Sequence, residues 1–225
     1  MRLLVIGDGR MGRAVLAAAE EMGHEVVGCL GREGFSQAQW PDADVAIEFT
    51  APESALDVFA ACRKRGVPLV SGTTGWEAHW MEVERAAVAS RHRMVWSSNF
   101  SVGVYLFRKA LRHVADVMKE QSDYVPSVHE VHHTGKKDAP SGTAKTLQGD
   151  LASMGLGQVS VTAERIAGVP GTHTVEWHGP IDAVQLTHHA RGRSGFARGA
   201  VQAAEWLMKF QPSECTIFGM DDVWG

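Results

Sequence analysis

The sequence predicts an α/β protein: a doubly wound parallel sheet first, then a second α+β domain with a mixed or antiparallel sheet. Three observations predict it. Short apolar runs of strand length alternate with helix-composed stretches through the first half, the pattern of β-α-β units whose strands are covered on both faces. The first run ends on a glycine-rich turn that opens a helix. From Val159 the pattern changes to apolar and polar alternation cut by Gly and Pro, as in antiparallel or mixed sheets.

Leu3 to Ile6 is a continuous apolar run and reads as the first strand. Gly7-Asp8-Gly9-Arg10-Met11-Gly12 follows, and then Arg13 to Met22, rich in Ala, Leu, Val and Glu and stopped by Gly23, reads as a helix. Glu25 to Leu30 is the second strand; Gly34 to Asp42 is too short for a convincing helix, so one sheet edge is expected to be trimmed. Three further strand-to-turn units run from Asp44 to Phe49 into Thr50-Ala51-Pro52, from Val67 to Val70 into Ser71-Gly72-Thr73-Thr74-Gly75, and from Met94 to Trp96 into Ser97-Ser98-Asn99-Phe100. Helical stretches Glu53 to Arg65 and Trp76 to Ser90 separate them.

Strand-like runs in the last third are Val159 and Val161, Glu164 to Ile166, Thr174 to Trp177 and Ala183 to His188. Gly195 to Phe210 is helical in pattern and Cys215 to Phe218 strand-like, and both are expected to return to the first domain. The expected organisation is therefore a discontinuous first domain of residues 1–99 and 196–225, with residues 100–195 as the second.

The formal charge of −4 and pI near 6.2 leave no basic footprint for a nucleic-acid backbone. No run of about 18 apolar residues is present, so no membrane-spanning helix is expected. MRLLVI ends at once in Gly-Asp-Gly-Arg without a cleavage site, and reads as a buried strand instead of a signal peptide. Cys29, Cys62 and Cys215 are odd in number, lie in apolar surroundings and lack Cys-x-x-Cys spacing, which points to buried thiols in a reducing cytoplasm.

The order strand, G-x-G-x-x-G, helix is that of a dinucleotide-binding turn. Its glycines serve a tight turn, close approach of backbone to a pyrophosphate, and helix-to-strand packing. The phosphates sit at a helix N-terminus, whose free N–H groups and dipole favour negative charge. Gly7, Asp8, Gly9, Arg10, Met11 and Gly12 are accordingly candidate cofactor residues in a Rossmann-type domain. Gly72, Thr73, Thr74, Ser97, Ser98, Asn99 and Phe100 fall where a nicotinamide half would lie. The second strand should end in an acid if the adenosine ribose is unphosphorylated. Gly31-Arg32-Glu33 stands there, and Arg32 suits a 2′-phosphate, so the reading leans to NADPH over NADH, with Glu33 one step away.

Residues 128–144, VHEVHHTGKKDAPSGTA, concentrate the titratable chemistry. His129-Glu130-Val131-His132-His133 matches the H-E-x-x-H pattern of zinc peptidases, but that site needs a helix, where histidines four apart share a face. Tyr124 to Val128 upstream reads as a strand, on which four residues span roughly 13 Å, and Thr134-Gly135 would break a helix. No metal is expected. Ser141-Gly142-Thr143 opens a helix over Ala144 to Ala152, so the first-turn amides of Gly142 and Thr143 and the Thr143 hydroxyl form either a carboxylate site or simply a well-capped helix.

Taken together, the blocks Gly9-Arg10-Met11-Gly12, Glu48-Phe49-Thr50 with Pro52, Gly72 to Gly75, Asn99 to Val104, Glu130 to Ala144, Gly168 to His173 with Arg165, and Phe196 to Ala200 resemble the 4-hydroxy-tetrahydrodipicolinate reductases, formerly dihydrodipicolinate reductases, over nearly the whole chain. The phosphate loop is one residue shorter than is common in that family, and Gly31 replaces its usual acid. The resemblance implies hydride transfer from NADPH or NADH to a small cyclic dicarboxylate, with His132 as general acid and Lys136 as its partner. It also implies that His133, Lys136, Ser141, Gly142 and Thr143 hold substrate, and that the second sheet assembles a homotetramer. Arg165, His173 and Arg193 are equally readable as substrate ligands or as a solvated or interface face. The competing readings are another amino-acid dehydrogenase of similar build, a non-catalytic dinucleotide sensor and the zinc peptidase.

Overall fold

The computed structural model describes residues 1–31, 39–210 and 216–225, so Arg32 and Cys215 lie outside the described residues. The chain divides into two compact units, Met1–Ser101 with Arg193–Gly225, and Val102–Gly192.

The first unit is a parallel sheet of β1 (Arg2–Ile6), β2 (Glu25–Leu30), β3 (Val45–Glu48), β4 (Leu69–Ser71), β5 (Met94–Trp96) and β10 (Ile217–Phe218), in the order β10-β5-β4-β3-β1-β2. Side chains alternate across a strand. Leu3 and Val5 therefore join one core with α1 (Arg10–Glu21) and α6 (Ser194–Lys209), while Leu4 and Ile6 join another with α2 (Pro52–Arg65) and α3 (Trp80–Ser90). All four of these β1 residues have no solvent exposure, which is why the run is continuously apolar instead of alternating. The expected helix from Trp76 to Ser90 is a 3-10 turn, Glu77–His79, followed by α3, because the Trp76 indole is turned inward to donate to the Thr73 carbonyl at 2.8 Å. A last helix, α7 (Met220–Trp224), closes the chain; Gly219 N–H donates to the Asp222 carboxylate at 2.7 Å.

The second unit carries the mixed sheet β7-β6-β8-β9, formed by β6 (Val125–His132), β7 (Ser160–Arg165), β8 (Thr172–His178) and β9 (Ala183–His189). β6 runs parallel to β7 and antiparallel to β8, and β8 is antiparallel to β9. Two helices, α4 (Val102–Met118) and α5 (Gly142–Ser153), cover one face: Phe107, Leu111, Leu147 and Leu151 pack with Val128, Val175 and the fully buried Trp177. α4 is missing from the sequence reading. Its buried residues Val104, Tyr105, Phe107, Leu111, Ala115 and Met118 follow helical spacing, but it starts directly after the Asn99 turn with no break to mark its beginning.

One cysteine departs from expectation: Cys62 is buried as expected, whereas Cys29, on the edge strand β2, is exposed. None of the described helices is long and apolar enough to cross a membrane.

Candidate active site

In the first unit the carboxyl ends of β1, β3, β4 and β5 lie on one edge, so residues 7–12, 49–52, 72–75 and 97–100 gather there. β1 and β3 are neighbours although β2 lies between them in sequence, so the strand order reverses beside the Gly7 turn, the place where doubly wound sheets bind ligands. The three glycines differ in duty. Gly7 has φ +108°, and a Cβ there would lie 2.2 Å from the Phe49 carbonyl oxygen. On Gly12 a Cβ would lie 1.7 Å from the Gly7 carbonyl oxygen, so only glycine lets α1 start against the strand. A Cβ on Gly9 would meet nothing within 4 Å, leaving open space at the helix N-terminus. Asp8, Gly9 and Arg10 are exposed and Met11 is half-buried. The loop fits the phosphates of a dinucleotide through its α1 amides and this open approach.

The neighbouring turns hang on a fully buried carboxylate, Glu48. It accepts hydrogen bonds from Ser71 Oγ, from Thr73 Oγ1 at 2.8 Å, and from Thr50 Oγ1 and N at 2.9 and 3.1 Å. Thr73 Oγ1 also accepts from Thr50 N at 2.8 Å, and its carbonyl accepts from the Trp76 and Trp96 indoles at 2.8 and 3.0 Å. Thr73 therefore builds the turn, while Thr74 beside it is exposed. Gly72 leaves room for the Phe49 ring, which a Cβ would meet at 2.0 Å. Ser97 Oγ and Asn99 brace one another, at 2.9 Å to the Asn99 carbonyl and 3.1 Å from its N–H. Ser98 is exposed, whereas Phe100 is a core residue packed edge-on against Phe49 at 6.1 Å. Gly31 follows β2 with the Asp8 carboxylate 3.2 Å from where its Cβ would be.

In the second unit the chemistry gathers at the end of β6. Because the segment is a strand, the motif's His129 and His133 are spaced by extended backbone, about 13 Å over four residues, instead of sharing one helix face, and the H-E-x-x-H match is incidental. His129 Nδ1 meets Thr162 Oγ1 at 2.8 Å on the open face. Glu130 and His132 share the covered face, where register does the rest: antiparallel pairing sets His173 opposite Glu130, and parallel pairing sets Arg165 opposite His132. Glu130 has no exposure; His132 and His173 are buried at 7% and 5%. His132 Nδ1 lies 3.3 Å and His173 Nε2 3.5 Å from Glu130 Oε2, while Arg165 Nη2 lies 3.2 Å from Oε1. Ligand atoms of Glu130, His132 and His173 come within 4.8 Å of one another, the donor set of a metal site, and Arg165 already supplies that carboxylate with a cation.

The loop after β6 returns over this cluster. Arg165 straps it by donating to the Lys136 carbonyl at 3.2 Å and to the Asp138 carbonyl. Lys136 pairs with Asp138 at 2.8 Å, and His133 beside it is half-buried. Ser141 caps α5: its Oγ accepts from Ala144 N at 3.2 Å, and its own N–H donates to Glu130 Oε1 at 2.9 Å. Ser141 is thus buried and engaged, while Gly142 is exposed and Thr143 half-exposed at the first turn of α5. An anion at that turn would meet helix amides, with Lys136 and His133 on the preceding loop. Arg193 is exposed and belongs to the first unit.

Burial lowers the pKa of His132; Lys136 and Arg165 push the same way, and Glu130 opposes them. Burial lowers His173 further, to about 4, reinforced by His132. For Glu130, burial alone would raise the pKa, but hydrogen bonds from Ser141 and the charges of His132 and Arg165 outweigh it, and the carboxyl ends below its ordinary value. Two neutral imidazoles thus flank an ionised carboxylate near neutral pH. Glu130 was not singled out by the sequence, and His173 and Arg165 were left without a role. The available signal was the i, i+2 spacing of Glu130 and His132 on a strand.

Comparison with known proteins identifies the family. The N-terminal dihydrodipicolinate reductase family model matches residues 1–100 and the C-terminal one residues 103–224. A 4-hydroxy-tetrahydrodipicolinate reductase of Christiangramia forsetii is 34% identical over 99% of this chain and 97% of its own length; one from Methanoculleus marisnigri is 37% identical over 89% and 82%. A dipicolinate-bound dihydrodipicolinate reductase structure from Paenisporosarcina superposes with a TM-score of 0.78 at 18% identity, covering 99% and 98% of the two chains. The NAD complex of GenD2, from gentamicin A biosynthesis, superposes at 0.62 with 11% identity, covering 99% and 90%.

Proposed function

The chain belongs to the dihydrodipicolinate reductase family, and from that premise we propose how its two units divide the reduction of 4-hydroxy-tetrahydrodipicolinate to tetrahydrodipicolinate and water. It is a nicotinamide-dependent oxidoreductase of diaminopimelate and lysine synthesis. The first unit holds the dinucleotide, its phosphates on the Gly7 to Gly12 turn and its nicotinamide half near Gly72, Thr73, Thr74 and Ser97 to Phe100. When bound, the nicotinamide supplies a hydride to the substrate ring.

The second unit holds the cyclic dicarboxylate and handles the proton. One carboxylate sits on the amides of Gly142 and Thr143 with Lys136 and His133 beside it. His132 delivers a proton to the substrate carbon, Lys136 serves as its partner, and hydride, proton and loss of water balance the reaction. A buried neutral imidazole suits this task only if the dianionic substrate raises its pKa on arrival, as a nearby negative charge does. What carries the reading is one contiguous segment, Glu130 to Thr143, that brings a buried imidazole, a lysine and a helix N-terminus to one strand end.

Either reduced dinucleotide serves, with NADPH favoured by Arg32, while the Asp8 carboxylate beside Gly31 is the feature that favours NADH. The open face of the second sheet, with Ser127, His129, Thr174 and Thr187, and the exposed Val125 and Ile181 in the same unit, support assembly as a homotetramer, and a role in amino-acid synthesis supports a cytoplasmic location. The test follows loss of reduced-nicotinamide absorbance with freshly generated 4-hydroxy-tetrahydrodipicolinate, NADPH against NADH. Oxidation with neither, in a protein that still binds dinucleotide, would return the substrate to another dehydrogenase class. Light scattering on the eluting protein tests the tetramer; a monomer at micromolar concentration would overturn it.

A further inference from the structure

We infer that Glu130 is a positioning residue that fixes the His132 ring, holding its Nδ1 as the protonated nitrogen and leaving Nε2 as the atom that exchanges protons with substrate. The inference rests on the proposed role of His132 as proton donor.

Glu130 reaches no solvent, so its charge is answered only by protein groups. Its Oε1 takes the Ser141 N–H at 2.9 Å and the Arg165 guanidinium at 3.2 Å, and this leaves Oε2 facing the two imidazoles. Among the described residues neither Oε2 nor His132 Nδ1 has a hydrogen-bond partner, and the two buried atoms stand 3.3 Å apart, within ion-pair reach. A proton on Nδ1 would turn the positive edge of the ring to the carboxylate, whereas a proton on Nε2 would leave a buried lone pair facing a buried carboxylate.

The opposite side of the ring agrees. A Cβ on Gly171 would lie 3.0 Å from His132 Nε2, so the bare glycine keeps that nitrogen uncrowded. His173 is held differently, with Nε2 3.2 Å from Ser141 Oγ as well as near Glu130, so its ring has a partner of a kind that the described residues do not give His132 Nδ1. The same carboxylate that orients the donor also anchors, through Ser141, the first turn of α5. One residue thus sets the donor and the expected anion seat in common register, as second groups that hold a catalytic imidazole do.

The charged groups acting on His132 are Glu130 on its own strand, Arg165 on β7, and Lys136 and Asp138 on the loop. Glu130 and Asp138 favour the protonated ring, and Lys136 and Arg165 oppose it. Side-chain 15N spectra of the full-length protein labelled on histidine, with His132→Gln identifying the resonance, read the tautomer directly at pH above the ring's titration. The expected result is Nδ1–H; a ring protonated on Nε2 would overturn the inference, whether or not any variant folds. In kinetics, Glu130→Gln should lower kcat on the order of 100-fold. It should also move the alkaline limb of kcat/KM to lower pH, with Glu130→Asp restoring part of both. A uniform loss with the limb unmoved would show a merely structural carboxylate. Turnover surviving in His132→Gln would instead strike the donor role itself, which the tautomer measurement does not touch.

Discussion

Two glutamates without any solvent exposure, Glu48 at the end of β3 and Glu130 two residues before the end of β6, are surrounded by different chemistry. Glu48 is ringed by neutral donors, the hydroxyls of Thr50, Ser71 and Thr73 and the backbone amides of Thr50 and Thr73. Glu130 is ringed by groups that carry or can take a proton: His132, His173 and Arg165, with one amide from Ser141. A buried carboxylate among hydroxyls fastens turns; one among imidazoles sets where protons reside. The first unit therefore needs its glutamate to shape a binding edge, and the second needs its glutamate to shape a reaction.

The largest effect that would sharpen this contrast lies in the second unit. His132→Gln keeps the size of the ring's neighbourhood but removes the transferable proton, and should lower kcat on the order of 1000-fold, about 4 kcal/mol of barrier. Dinucleotide affinity, measured by quenching of the tryptophan fluorescence, should stay unchanged because the glycine loop belongs to the first unit. Normal turnover, or an equal loss of cofactor binding, would break the division of labour.

The reciprocal change is Glu48→Ala. It strips the acceptor from three hydroxyls and the Thr50 amide, and should destabilise the first unit by about 3 kcal/mol. Dinucleotide binding should weaken as the Thr50 and Thr73 turns loosen, while the pH dependence of residual turnover stays where it was. A displaced pH profile in Glu48→Ala would make the two glutamates alike and erase the comparison. Urea unfolding followed by circular dichroism reads the first effect and steady-state kinetics the second.

What was legible in advance follows the same line. The glycine loop, the strand ends and the segment from His132 to Thr143 are contiguous, so their periodicity and turn residues could be read locally. The Glu48 network joins residues 23 and 25 positions apart, and the Glu130 cluster depends on which residue of β7 and β8 stands opposite each residue of β6. Strand register is a property of the assembled sheet, and a slip of one residue would turn His173 and Arg165 to the open face. Their roles stayed open in the sequence for that reason. The H-E-x-x-H match was set aside because it assumes helical spacing, and the strand then places Glu130 with His132 and not with His129.

The smallest expected effect concerns acid stability and separates the units by pH window. His92 in the first unit and His173 in the second are both held to about 4, by burial first, then by Arg63 and Arg93 for His92 and by His132 for His173. Each ring stays neutral in the fold while the unfolded chain takes up a proton below its ordinary pKa of 6.5. The unfolded state then binds more protons, so stability is full above that value and falls as pH drops from 6.5 towards 4. For each histidine the loss between about pH 7 and about pH 5 is roughly 2 kcal/mol. Glu130 extends the decline in the second unit only: its folded pKa is depressed, so its contribution is present above the ordinary value of 4.5 and fades below it. His173→Asn should flatten the upper window for the second unit and His92→Asn for the first, as read by urea unfolding at stepped pH. An unchanged slope in both variants would mean that neither burial controls the acid limb, and that Glu130's surroundings are less dry than their geometry states.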